Sequence, residues 1–329
     1  MATHSARNEG LGRRRLLAGA LLWTALLLLF PGDSAAGDPT RVVVAIPTTG
    51  PYRASAESAM ERLRAQGVDC ELLVFADDAQ ARQETFEGLR ASSPAVILTG
   101  GVALTTEVLE AVPKTPIVFF MVPNALDAGF LDSSSPYQSR VAGVPMDVAP
   151  DDQVQWIRRT VPDCGRIAVL CTEHSERTAA ALQAAGRKRG VEIAPLHASS
   201  ERFPAAVDAL EGAKSEGVVM ILDSQVYTAA TVQHLLLWGL RQKHPLWAFS
   251  DKVVKAGALA GVYCDPAQVG TQAGEITQEI LRGKQPQAIG VRYSRHPQHA
   301  VNVRVAEMIG VHFKDDLLTP AVTQFGETD

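Results

Sequence analysis

The chain is predicted to be α/β, built as two doubly wound lobes joined by a hinge. Three observations carry this: short apolar runs recur along it, stretches of helical period lie between them, and the pattern starts afresh near its middle. The runs cover residues 41–46, 70–75, 95–99, 117–122, 166–171, 217–222 and 246–249. They are rich in Val, Ile and Phe and do not alternate with polar residues. Strands covered on both faces of a parallel sheet have this composition.

The segments between the runs keep a helical period. Ala56, Ala59, Met60 and Leu63 form one apolar stripe, Val232, Leu235, Leu236 and Leu240 another, and Val269, Ala273, Ile276 and Ile280 a third. A stripe of this kind buries one helix face against a sheet. Strand alternating with helix implies a doubly wound architecture. One open sheet of about ten strands or more is unusual, and the chain changes character over 141–152, after which a helix over 153–161 and a strand over 166–171 begin the pattern again. No long Gly/Ser linker intervenes, so the lobes should touch and hinge.

The amino terminus predicts export. Arg13, Arg14 and Arg15 precede an apolar run over 16–30, Pro31-Gly32-Asp33 breaks it, and Ser34-Ala35-Ala36 follows. Charged, apolar and small-residue segments in that order form a cleavable secretory signal. The run is shorter than the ~20 residues a membrane span needs; an uncleaved anchor is the alternative. Residues 1–36 are set aside as signal, and a periplasmic or extracytoplasmic location is expected. With 31 Lys+Arg against 36 Asp+Glu the chain has a net charge of −5, which argues against a nucleic-acid partner, since that needs a basic footprint.

Cys70, Cys164, Cys171 and Cys264 form no CxxC and no Cys/His cluster, so a zinc site is not expected. Cys171 ends the run 166–171 and Cys164 precedes it, so about seven strand steps put them roughly 20 Å apart, whereas a disulfide needs Cα atoms within about 7 Å. Buried thiols are expected, with a Cys70–Cys264 pair left open. The sequence contains no G-x-S-x-G elbow, no GxxxxGK[ST] loop, no HExxH and no G-x-G-x-x-G. His174, with Glu173 and Glu176 near it, reads as a solvated loop, and His244, His296, His299 and His312 as surface. No catalytic residue, metal or cofactor is expected.

The stretch Lys255-Ala-Gly-Ala-Leu-Ala-Gly-Val through Gln268-Val-Gly, then Ile280-Leu-Arg-Gly-Lys-Gln-Pro286 and Asn302-Val-Arg-Val-Ala-Glu-Met-Ile-Gly310, resembles the carboxy-terminal signature of ABC-transporter substrate-binding proteins. Pro116-Ile-Val-Phe-Phe-Met-Val with Ala128-Gly-Phe, and Arg140-Val-Ala-Gly-Val, resemble two further blocks of that family. The resemblance is to the branch that includes binders of aromatic amino acids. It covers most of residues 40–312, in order. It implies the type I periplasmic-binding-protein fold: two Rossmann-like lobes, three hinge crossings, and a ligand held between the lobes. The expected division is lobe one over 37–145 plus about 250–285, and lobe two over 146–249 plus about 286–329.

Ligands of open α/β sheets lie beyond the carboxyl ends of the strands. Candidate ligand-binding residues are therefore Thr48, Thr49 and Tyr52 after the first strand, Thr99, Gly100 and Gly101 after the third, and Asn124 after the fourth. In lobe two they are Ser175, Asp223 and Tyr227, and Ser250 and Asp251 follow the run 246–249. Asp223 ends an apolar strand, where an unpaired carboxylate is costly, and the resemblance implies that an Asp there faces the cleft. It is expected to meet a ligand ammonium while the N–H groups of 99–101 hold a carboxylate; an N-cap for the next helix is the alternative. Asp251 caps its own turn or faces the ligand. Tyr52 and Tyr227 stack on a planar ligand or pack in the fold. Trp156 and Trp238 belong to the core or a lobe surface.

Two departures touch the expected site. Where the resembling amino-acid binders carry E-x-N-S, this chain has Ser175-Glu-Arg-Thr178, and the usual D-P turn is Asn124-Ala125. The ligand is therefore left as an amino acid or another small organic solute. The expected function is capture of that solute by a monomer and delivery to the membrane permease of an ABC importer. The alternatives are a ligand sensor for a membrane receptor and a secreted enzyme on the same fold. A LacI-like regulator is disfavoured because the export signal stands where a helix-turn-helix head would be.

Overall fold

The computed structural model describes residues 41–326; the segment assigned to the export signal lies outside them. Among the described residues no helix is long and apolar enough to cross a membrane, and no group of His, Cys, Asp and Glu could hold a metal ion.

The first lobe forms on five parallel strands. They are β1 (Val42–Pro47), β2 (Cys70–Phe75), β3 (Val96–Gly100), β4 (Ile117–Val122) and β5 (Val141–Pro145), in the order β2-β1-β3-β4-β5. β3, β4 and β5 are buried along their whole length, and β1 is buried up to its last residue. That is why their sequences are unbroken apolar runs. Between them lie α1 (Arg53–Arg64), α2 (Ala79–Ser92) and α3 (Val102–Ala111). The stripe Ala56, Ala59, Met60 and Leu63 is the buried face of α1.

The second lobe forms on seven strands. β6 (Arg166–Cys171), β7 (Glu192–His197), β8 (Val218–Val219), β9 (Leu246–Ala248), β10 (Ala260–Tyr263), β11 (Gln298–Asn302) and β12 (Val322–Phe325) lie in the order β12-β11-β10-β9-β8-β6-β7. All neighbours are parallel except β10 and β11. Its helices begin with α4 (Pro150–Thr160), α5 (Glu176–Lys188), α6 (Phe203–Gly212), α7 (Ala229–Gln242) and α8 (Asp251–Ala256). Of the helices that follow, α9 (Pro266–Leu281) and α10 (Pro286–Ile289) lie against the first lobe and α11 (Val303–Ile309) against the second.

The division between lobes differs from the expected one in its second half. The sequence reading places residues 250–263 in lobe one, yet α8 leads into β10, which pairs with β9 and β11 in the second sheet. The chain returns to lobe one only at α9. Asp265 caps that helix through Ala267 N and Gln268 N, and α9 lies directly on α1. A side chain on Gly270 would overlap the Ser55 carbonyl, so the close approach of the two helices requires glycine there. Residues 286–291 also belong with the first sheet, since Val291 bridges to Gly143 and Gly143 N donates to Gly290 O at 3.1 Å. The chain thus crosses three times: at 146–149, at 264–265 and beyond 291.

All four cysteines are buried free thiols, which closes the option of a Cys70–Cys264 bridge. Cys264 Sγ instead donates to Asp147 O, tying the second crossing to the first. Two histidines expected at the surface are packed on tryptophans: His299 lies 4.4 Å from Trp156 and His244 lies 5.3 Å from Trp238, centroid to centroid. Burial lowers the proton affinity of both imidazoles.

Candidate functional site

The loops at the carboxyl ends of both sheets meet at one seam. The loop after β4 reaches from lobe one across to the start of α5 and to the segment after β8. Asn124 takes the left-handed conformation at φ 47°, which turns its side chain out of the strand. Its Nδ2 donates to Leu222 O at 2.5 Å. The residue is only 8% exposed, and its Oδ1 is buried with no protein partner.

Asp223, one residue beyond Leu222, sits at the centre of the lobe-two rim. Its Oδ2 accepts from Thr172 N at 3.0 Å, Thr172 Oγ1 at 2.7 Å and Ser175 Oγ at 2.5 Å. Its Oδ1 accepts from Gln225 N at 3.0 Å. Burial alone would raise its pKa; the hydrogen bonds from Ser175, Thr172 and Gln225 outweigh burial and hold the carboxyl below its ordinary value. Asp223 is therefore a brace between the loops after β6 and β8. It does not cap α7, because Thr228 and Thr231 form a capping box there. Ser175 is fully buried and its hydroxyl is committed to Asp223.

Several other candidates take structural roles. Thr99 is buried, its hydroxyl bonded to Thr105 Oγ1 at 2.9 Å. Gly101 turns the chain into α3 at φ 79°, and its N–H donates to Phe120 O at 3.1 Å, so it is not free to grip an anion. Tyr227 is buried, donates to Leu170 O at 3.3 Å and packs edge-on to Phe249; it cannot stack on a ligand without leaving the core. Ser250 caps α8 through Val253 N, and Asp251 Oδ1 accepts from Lys252 N.

The remaining candidates face the lobe-one rim. Thr48 and Thr49 are exposed, and Thr48 Oγ1 donates to Asp77 Oδ2 at 3.2 Å. Tyr52 is half-buried and lies over Gly50, Gly100 and Gly101; a Cβ on Gly101 would come within 2.6 Å of its phenol oxygen. The glycine pair after β3 thus makes room for this ring.

Five residues at the seam or beneath it were not candidates. Asp127, at the end of the turn Ala125–Asp127, accepts from Arg177 N at 2.8 Å, Thr178 N at 3.0 Å and Thr178 Oγ1 at 2.8 Å. Asp132 pairs with Arg177. Asp147 lies under the seam at the first crossing and accepts from Ala125 N at 3.4 Å. Burial pushes its carboxyl up to about 7, with backbone N–H groups of Ala125 and Asn124 offsetting part of that. No local pattern announces Asp127 or Asp132, since their partners lie about fifty residues away in lobe two. The only signal was that the segment 175–178 departs from the resembling family.

The family model described as ABC transporter substrate binding protein matches residues 42–324. No curated protein matches the chain. Among solved structures, a conserved domain protein of Vibrio cholerae is 19% identical with a TM-score of 0.62, covering 88% of this chain and 100% of that one. A domain from Streptococcus pneumonia in complex with L-Trp is 16% identical with a TM-score of 0.60, covering 86% and 99%. A ligand-free, open substrate-binding protein with adhesive properties from Clostridium difficile is 17% identical with a TM-score of 0.67, covering 88% and 100%. At these identities the likeness is one of fold.

Proposed function

Because the chain belongs to the family of ABC transporter substrate binding proteins and has their two-lobed type I periplasmic-binding fold, we propose that it captures a small solute between its lobes. It works outside the cytoplasm and hands the solute to an importer's permease, without chemistry on it. The observation that carries this reading is the meeting of the strand carboxyl ends of both sheets at one seam, over three chain crossings. Ligands of doubly wound sheets bind at such ends, and two facing rims allow hinge closure around a solute.

The proposed contacts are Thr48, Thr49 and Tyr52 on lobe one, Asn124 at the seam, and Asp223 Oδ1 with Ser250 and Asp251 on lobe two. Tyr52 offers a ring face to a planar or apolar part of the solute. The unpartnered Asn124 Oδ1 and the Asp223 oxygen with a single donor are both acceptors. Together they favour a solute that brings N–H or O–H donors to the seam. Amino acids, nucleosides and sugars all meet that requirement, and the L-Trp complex of the Streptococcus domain puts aromatic amino acids among the first to test.

A thermal-shift screen of the exported chain against amino acids, nucleosides, sugars and small organic acids tests this. A solute at 100 times its Kd should add about 2.7 kcal/mol to stability. No shift from any class, or turnover of a compound that does bind, would overturn capture without catalysis.

A further inference from the structure

We propose that Asp127 is an internal anion for the amino terminus of α5 and serves as the latch that holds the two lobes together. The first turn of any helix presents N–H groups without partners inside the helix. A residue at the start of the helix ordinarily accepts them. In α5 that residue is Ser175, but its hydroxyl is turned to Asp223 and makes no capping bond. The task passes to lobe one. Asp127 Oδ1 accepts from Arg177 N, and Oδ2 accepts from both Thr178 N and Thr178 Oγ1. These are the N–H groups of the second and third helical positions, the ones a local cap would take.

Donors and acceptors of this set lie on different lobes, so opening breaks all three bonds at once. One hydrogen bond to a charged group is worth a factor of about ten or more in an equilibrium constant, and the positive end of the helix dipole favours a carboxylate there. The neighbouring pair Arg177–Asp132 is half-exposed on both sides and adds little. The bond from Asn124 to Leu222 O is neutral. Asp127 therefore supplies three polar contacts between the lobes, two of them part-buried. It also means that, while these bonds are made, the α5 terminus is taken and offers no seat for an anionic group of the solute. The latch goes beyond the capture reading and holds whichever solute the cleft takes.

The test is small-angle X-ray scattering on the exported chain dialysed free of solute, comparing wild type with Asp127→Ala. The variant should have a larger radius of gyration, with the closed fraction down about tenfold or more. Added formate, a carboxylate small enough to replace the missing group, should restore the compact form; chloride at equal ionic strength should not. An Asp127→Ala chain with the wild-type radius, or one that formate compacts no better than chloride, would overturn the latch. Should Asp127→Ala fail to fold, Thr178→Val removes one of the three bonds and should open the lobes by a smaller factor. An unchanged radius there overturns it too.

Discussion

Replacing Asp147 by Asn should change how stability depends on pH, and the structure sets both sign and size. The carboxyl is 8% exposed at the first crossing and accepts a backbone N–H from Ala125. Asn keeps that acceptor and cannot ionise. Burial raises the folded pKa from 3.8 to about 7. Between those values the folded chain keeps a proton that the unfolded chain has released. The contribution is therefore fully present below pH ~4, falls as pH rises to ~7, and is flat above. Roughly three pH units at 1.36 kcal/mol each amount to about 4 kcal/mol. Urea unfolding of both chains at four pH values from 4.5 to 7.5 isolates the group, because all other titrations are shared. Stability of Asp147→Asn relative to wild type should rise by about 1.4 kcal/mol per pH unit up to about pH 7 and level off above it. A difference that stays level with pH would refute burial as the cause, and with it the placement of Asp147 beneath the seam.

Asp223→Ala strands four donors, from Thr172, Ser175 and Gln225, and should cost about 3 kcal/mol or more in denaturant unfolding. Since its folded pKa lies below 3.8, the wild-type contribution should hold at neutral pH and fade as pH drops through that folded value, opposite in sign to Asp147. Gly270→Ala places a methyl against the Ser55 carbonyl and should lower stability by about 1–3 kcal/mol by forcing α1 and α9 apart; a neutral result in thermal unfolding would show that the helices give way freely. Burial raises the thiols of Cys164 and Cys264 to about 12 and that of Cys171 to about 11, so alkylation by iodoacetamide at pH 8 should be slow in the native chain and fast in urea. Rapid native labelling would contradict their burial.

The alternation of apolar runs with helical stripes was enough to predict two doubly wound lobes, because a strand covered on both faces and a helix covered on one carry their burial in local composition. β1 to β4 and β6 follow the predicted runs closely. β7, with Pro195 and half-exposed residues at the sheet edge, leaves no such run, and neither does the short β10. Because β10 carries no such run, the sequence places the return to lobe one at about residue 250, some fifteen residues before the chain makes it. At the candidate site, the loops beyond the strand ends were legible as places, but the tasks of their side chains were not. Asp223 stands out from sequence as a carboxylate ending an apolar strand, yet only the fold shows that Thr172, Ser175 and Gln225 already occupy it. Asp127 has no signal beyond the departure of its partner segment 175–178 from the resembling family, since it meets a helix fifty residues away, and Asp147 has none, since it is buried where the first crossing meets the loop after β4. Local sequence determines which segments bury and how they coil. Which polar groups meet across a seam depends on contacts between distant segments, and those exist only once the two lobes have docked.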